Sequence, residues 1–209
     1  MTALSIASIT AGALAGSGTP LSILTKGTLL RRDLPLLTLA GRAVPVRLAV
    51  SIAIGNAELH RSLEPGTPSA RSRLELVRAL ADAGFAVNVM VAPVIPYLTD
   101  GAAHLDELLE AIAASGADSA VAFPMHLRGA TRGWFLEWLA THHPALLGRY
   151  RRLYGRGAYV TPEYSVWLRS RLDPLLERHG LNRERTPAPP AREPAAGPPE
   201  PDPQLALFA

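Results

Sequence analysis

Between Leu21 and Phe123 the chain alternates short apolar runs of strand length with longer stretches whose apolar residues recur at helical spacing. That alternation constrains the fold more than any other feature, because it calls for parallel strands joined by helical crossovers. Leu21–Thr25 reads as a first strand, and Arg31–Ala40, with Leu34, Leu36, Leu37 and Leu39, as a short helix. Val46–Ile54 is apolar except at Arg47 and Ser51, the pattern of a strand buried on both faces. A helix opens at Pro68-Ser69-Ala70, repeats Leu74, Val77, Leu80 and Ala81, and stops at Gly84. Ala86–Val94 is the third strand, Ala103–Ser115 the next helix and Ser119–Phe123 the fourth strand. Two amphipathic helices follow, Thr131–Tyr154 with a break at Pro144, and Pro162–Gly180, which begins with Thr161 as N-cap and proline at the first helical position.

The 209 residues suit one domain with a real core, and 48% hydrophobic with 19% charged residues is a globular balance. A net charge of +3, carried mostly by arginine, is compatible with nucleic acid without demanding it. With no cysteine, the chain has no disulfide, no thiolate zinc site and no Cys-ligated iron–sulfur cluster of its own. Met1 to Gly18 is apolar, but the first positive charge is Lys26, so a secretory signal's basic start is missing. No later apolar run reaches the roughly 18 residues of a membrane span, and a cytoplasmic protein without membrane contact is expected. From residue 182 to 209 the composition turns to Pro, Ala and Glu, which predicts a disordered, partly polyproline-II tail.

In parallel β-α folds ligands gather beyond the carboxyl ends of the strands. That rule selects Thr25, Lys26, Ser51, Asn56, Pro93 to Pro96, His126 and Arg128. Lys26 offers a cation for a carboxylate, or is a solvated lysine opening a loop. Ser51 is a hydroxyl inside an apolar strand, facing a ligand or bonded to a neighbouring carbonyl. Arg71 and Arg73 lie in a helix's first turn, against the macrodipole, which calls for an anionic contact with Glu64, a cofactor or a substrate. Thr67 and Asp100 are expected to cap the helices that follow them. Trp134 and Trp138 share a helical face and are expected to pack inward. The histidines form no convincing metal site, His142 and His143 diverging by roughly 100 degrees on a helix. No phosphate-binding loop, dinucleotide fingerprint or nucleophile elbow is present.

Three stretches carry a resemblance to a known family. They are Leu21-Ser22-Ile23-Leu24-Thr25-Lys26, then Ser51-Ile52 followed by Leu63-Glu64-Pro65-Gly66-Thr67-Pro68 and Arg73-Leu74-Glu75, then Val89 to Pro96 leading to Asp100. In order and spacing they resemble the spore photoproduct lyase branch of the radical S-adenosylmethionine (SAM) superfamily. The resemblance implies an α/β fold, a partial parallel (β/α) barrel truncated at its N-terminal side, with C-terminal helices and the Pro-rich tail. Residues 1–20 would be a remnant or replaced segment and 21–181 the partial barrel. It also implies SAM and a 4Fe–4S cluster as cofactors, with Thr25, Lys26, Ser51 and Arg73 as SAM contacts. The family holds the cluster on a C-x-x-x-C-x-x-C loop, which is missing here, so the chain alone is expected to be catalytically silent. A non-catalytic α/β interaction module is the second reading.

That second reading draws on the tail. Gln204-Leu205-Ala206-Leu207-Phe208 resembles the pentapeptide that docks bacterial DNA-processing proteins on the sliding clamp. Gln204, Leu205, Leu207 and Phe208 would be the docking residues, Leu207 and Phe208 filling an apolar pocket while Gln204 sets the register, an extended-peptide mode of recognition.

Overall fold

The computed structural model describes residues 18–182. The stretch read as an N-terminal remnant, up to residue 17, and the proposed docking peptide Gln204 to Phe208 lie outside the described residues. Four parallel strands, β1 (Leu21–Thr25), β2 (Val46–Ser51), β3 (Val87–Val94) and β4 (Ser119–Pro124), lie side by side in chain order. A 3-10 turn (Thr28–Asp33) and α1 (Leu34–Gly41) join β1 to β2, α2 (Ala57–Leu63) and α3 (Ala70–Asp82) join β2 to β3, and α4 (Ala102–Ala114) joins β3 to β4. After β4 come α5 (Ala130–His142), a 3-10 turn (Pro144–Leu146), α6 (Leu147–Tyr154) and α7 (Pro162–Arg178). The first three strands lie within the runs expected of them, the fourth extends one residue past Phe123 to Pro124, and Pro144 breaks the long helical stretch where proline lacks an amide to donate.

One sheet face carries the core. Val50, Val87, Val89 and Val91 pack with Leu37, Val77, Leu80, Leu109 and Ile112, all fully buried. The alternation of strand side chains sends Ser22, Leu24, Arg47, Ala49, Asn88, Met90 and Val121 to the other face, where they line a groove of about 340 Å³. Among the described residues this groove has no helix layer, and the sheet is covered on one side only. At the far edge, Leu181 returns after α7 and its carbonyl accepts the Ala120 amide at 2.9 Å.

Several local expectations need correction. The strand expected to run to Ile54 ends at Ser51, and Ile52, Ala53 and Ile54 are buried in the turn beyond it. Helix α2 was not expected; Asn56 caps it, its side chain accepting the Leu59 amide at 2.9 Å. Ser69 caps α3 rather than Thr67, because the Thr67 hydroxyl donates to the Glu64 carbonyl instead. Gly101 is the N-cap of α4 without a side-chain bond; Asp100 turns inward, where its carboxylate accepts the Tyr164 hydroxyl at 2.7 Å. Thr161 caps α7 as expected, accepting the Tyr164 amide.

Candidate functional site

The carboxyl ends of the strands enclose a cleft of about 390 Å³, lined by Lys26, Glu64, Met90, Pro93, Phe123 and Trp134 among others. Its floor is apolar, and its one ion pair stands on the wall. The Lys26 ammonium donates to Glu64 Oε1, and the other Glu64 oxygen accepts from Arg73 Nη2 at 2.9 Å. Arg73 is only 1% exposed, and a buried guanidinium is tolerable only when its donors are satisfied. They are: Nε donates to the Pro68 carbonyl at 2.8 Å, Nη1 to the Ser51 carbonyl at 3.0 Å, and Nη2 also to the Thr67 hydroxyl at 2.8 Å. Arg73 thereby ties the end of β2, the turn after α2 and the start of α3 into one block. Burial alone would push the Glu64 carboxyl up, but Lys26 and Arg73 outweigh it and hold the carboxyl below its ordinary value.

The four residues expected to contact SAM, Thr25, Lys26, Ser51 and Arg73, therefore occupy different environments. Lys26 lines the cleft, and its side chain is 42% exposed. Thr25 closes its own turn, accepting the Gly27 amide at 2.9 Å and donating to the Gly27 carbonyl at 3.2 Å. The Ser51 hydroxyl is buried and donates to the Ala92 carbonyl across the sheet at 3.4 Å. Glu64 joins three of the four, linking Lys26 through its carboxylate to Arg73 and so to the Ser51 backbone. Sequence reasoning placed Glu64 among the possible partners of Arg73 but missed it as the counter-ion of Lys26, a contact across 38 residues with no local signal.

Of the two tryptophans expected to pack inward, one does. Trp138 is buried, as expected, and its indole donates to the Ser62 hydroxyl at 2.8 Å. Trp134 is 51% exposed and lines the cleft, with Phe123 opposite it in chain origin, at the end of β4. The helical spacing of the two tryptophans gave the right face for Trp138, while Trp134, one turn nearer the start of α5, is exposed at the cleft. Among the described residues no group of three or more His, Asp or Glu side chains is placed to hold a metal ion. No helix there is long and apolar enough to cross a membrane.

The family model of the radical SAM superfamily matches residues 3–125, more than half of the chain's 209 residues. This chain belongs to the radical SAM superfamily. Uncharacterized proteins of Mycobacterium tuberculosis and Mycobacterium bovis are each 57% identical to it over 187 residues, covering 90% of the chain and 55% of the relative. The chain thus spans about half the length of these relatives. An uncharacterized protein of the Acidianus two-tailed virus is 31% identical over 116 residues, 54% of the chain and 38% of that protein. In structure the chain is similar to a spore photoproduct lyase variant with bound AdoMet and dinucleoside spore photoproduct, with a TM-score of 0.60 and 20% identity. The match covers 81% of the chain and 52% of that protein. The four-stranded parallel sheet with its helices is therefore a partial radical SAM barrel.

The superfamily uses SAM and a 4Fe–4S cluster, and the residues present treat the two differently. A cluster does not fit this chain, which has no thiolate to offer. SAM does fit in part: the cleft presents one cation beside an apolar wall, the complement of a carboxylate joined to a flat heterocycle.

Proposed function

We propose that this chain supplies one wall of a SAM site in a radical SAM protein, with the cluster contributed by cysteines outside this sequence. Lys26 takes the methionyl carboxylate, and the apolar stretch around Met90, Pro93 and Phe123 receives the adenine. In this family SAM supplies the radical that removes a hydrogen atom from the substrate. The share of this chain is orientation and exclusion of water. The observation that carries the reading is the position of Lys26. Of the four expected SAM contacts it is the one that lines the cleft, whereas the donors of Ser51 and Arg73 are committed to protein partners. Glu64 holds the ammonium at the cleft wall, and its low affinity for a proton keeps the carboxylate charged at neutral pH. Arg73 acts one step further back, as a positioning residue behind Glu64.

Ultraviolet cross-linking of radiolabelled SAM to the full chain, followed by peptide mapping, tests the placement. The label is expected on peptides containing Met90 to Ile95 or Phe123 to Phe135. Label confined to other peptides, or spread evenly over the chain, would contradict it.

A further inference from the structure

Away from the cleft, the connection after β3 and the helices α6 and α7 bring together a row of rings closed by an arginine at each end. Tyr97 follows β3 with φ 64°, the only non-glycine residue at positive φ among the described residues. A tyrosine resists that conformation, so its surroundings must hold it there. Its ring meets Tyr150 edge to face at 5.9 Å and Tyr164 at 6.4 Å, and the Arg149 guanidinium lies over it, 4.9 Å from the centroid. Tyr164 continues the row to Trp167 at 5.2 Å, and the Arg171 guanidinium lies 4.5 Å from the Trp167 centroid. Among the described residues neither Arg149 nor Arg171 has a carboxylate partner. Tyr97 is 37%, Trp167 38% and Val166 beside it 69% exposed. None of these residues lines the cleft.

Charge and chain length point to what covers this surface. From Leu147 to Arg171 the chain has six arginines against the single carboxylate Glu163, a balance of +5 where the whole chain stands at +3. From Glu193 to Phe208 the sign reverses: Glu193, Glu200 and Asp202 stand without a basic residue, and Leu205, Leu207 and Phe208 follow them. Acid followed by large apolar side chains is the complement of arginine beside exposed rings. The geometry also allows the contact. Helix α7 ends near the amino end of β4, where the Leu181 carbonyl accepts the Ala120 amide, so the chain leaves the described body there. From Arg178 back to Trp167 is roughly 17 Å along the helix, at 1.5 Å per residue. Residues 183–203 separate that exit from Gln204, and a flexible chain of that length reaches about 25 Å on average, or about 65 Å as polyproline II.

We propose that the segment Glu200 to Phe208 of this chain docks on the Tyr97–Trp167 surface of the same molecule. Leu207 and Phe208 would lie against Val166 and the exposed faces of Trp167 and Tyr97, and Glu200 and Asp202 would meet Arg149 and Arg171. Tethering makes a weak contact sufficient. A linker whose average reach matches its span gives an effective concentration of the order of 1 mM. A contact with an intrinsic dissociation constant of about 0.1 mM would then be closed about nine times in ten. The docked segment would run along the outside of α7 and leave the strand-end cleft open. The inference uses no residue of the SAM wall and stands or falls apart from that reading.

The test is paramagnetic relaxation in the full chain. The sequence has no cysteine, so Ala206→Cys offers a single thiol for a nitroxide label. In the isotope-labelled protein the strongest broadening is expected at the amides of Tyr97, Arg149 and Ser165 to Arg171. Phe208→Ala, Trp167→Ala and the double variant Arg149→Gln/Arg171→Gln should each reduce it at least about two-fold. Salt at about 0.5 M should reduce it as well, and Arg42→Gln, at the amino end of the sheet, should leave it unchanged. Phe208 lies outside the described body, so its variant tests the contact even if Trp167→Ala folds poorly. Weak broadening spread over the whole surface would overturn the proposal, as would broadening centred on the cleft or the open sheet face. Nitroxide-bearing chain mixed with isotope-labelled chain lacking the nitroxide should give no broadening; equal broadening in the mixture would assign the surface to a second copy and overturn docking within one molecule.

Discussion

Arg73 shows how a single side chain can be readable in sequence and still be assigned to the wrong scale of action. Its place in the first turn of a helix, against the macrodipole, signals an anionic partner. The partner is Glu64, and the guanidinium is buried with its remaining donors on the Pro68 and Ser51 carbonyls and the Thr67 hydroxyl. Removing one member of such a pair strands the other, so Arg73→Met should cost about 3–5 kcal/mol, measured by urea unfolding. Glu64 adds a pH dependence of definite sign. Its carboxyl is held below the ordinary 4.5, so the folded chain binds that proton less tightly than the unfolded chain does. The Glu64 contribution is therefore complete above about pH 4.5 and is lost as pH falls further. The melting temperature of the parent should drop faster than that of Glu64→Gln below that pH, so the two curves converge; parallel curves would place Glu64 outside the network.

At the scale of elements, the strands and the order of helices were legible because a parallel sheet needs continuous apolar runs and helices need a 3.6-residue repeat. What escaped was set by contacts between distant segments. Helix α2 is only Ala57–Leu63, too short to show a repeat, and its one sequence mark is the Asn56 cap. Asp100 looked like a cap because it precedes a helix, yet Tyr164, 64 residues away, turns it inward. That bond fastens α7 to the β3–α4 connection, and burial together with Asp100 pushes the Tyr164 hydroxyl far above its ordinary range. Tyr164→Phe leaves the buried Asp100 carboxylate short of a donor and should cost about 1–3 kcal/mol. Hydrogen exchange would report it as earlier opening of α7 relative to β3; uniform loss of protection across the chain would show that α7 does not open separately.

For the whole molecule, the sheet is covered by helices on one face, and its strand ends bear a cleft with one cation, one acid and an aromatic rim. Radical SAM membership and the spore photoproduct lyase-like fold account for that layout. The chain spans about half the length of its mycobacterial relatives. The sequence carried the family through ordered short motifs, while the site needed coordinates, because Lys26, Glu64 and Arg73 converge only once β1, β2 and α3 are packed. The most direct test is calorimetric titration of SAM into the purified chain and into Lys26→Ala. Without a cluster to chelate the amino acid end, the parent should bind weakly, with a dissociation constant on the order of 1 mM, and Lys26→Ala should abolish the saturable heat. Indistinguishable titrations of the two proteins would contradict the assignment of this cleft as the SAM wall.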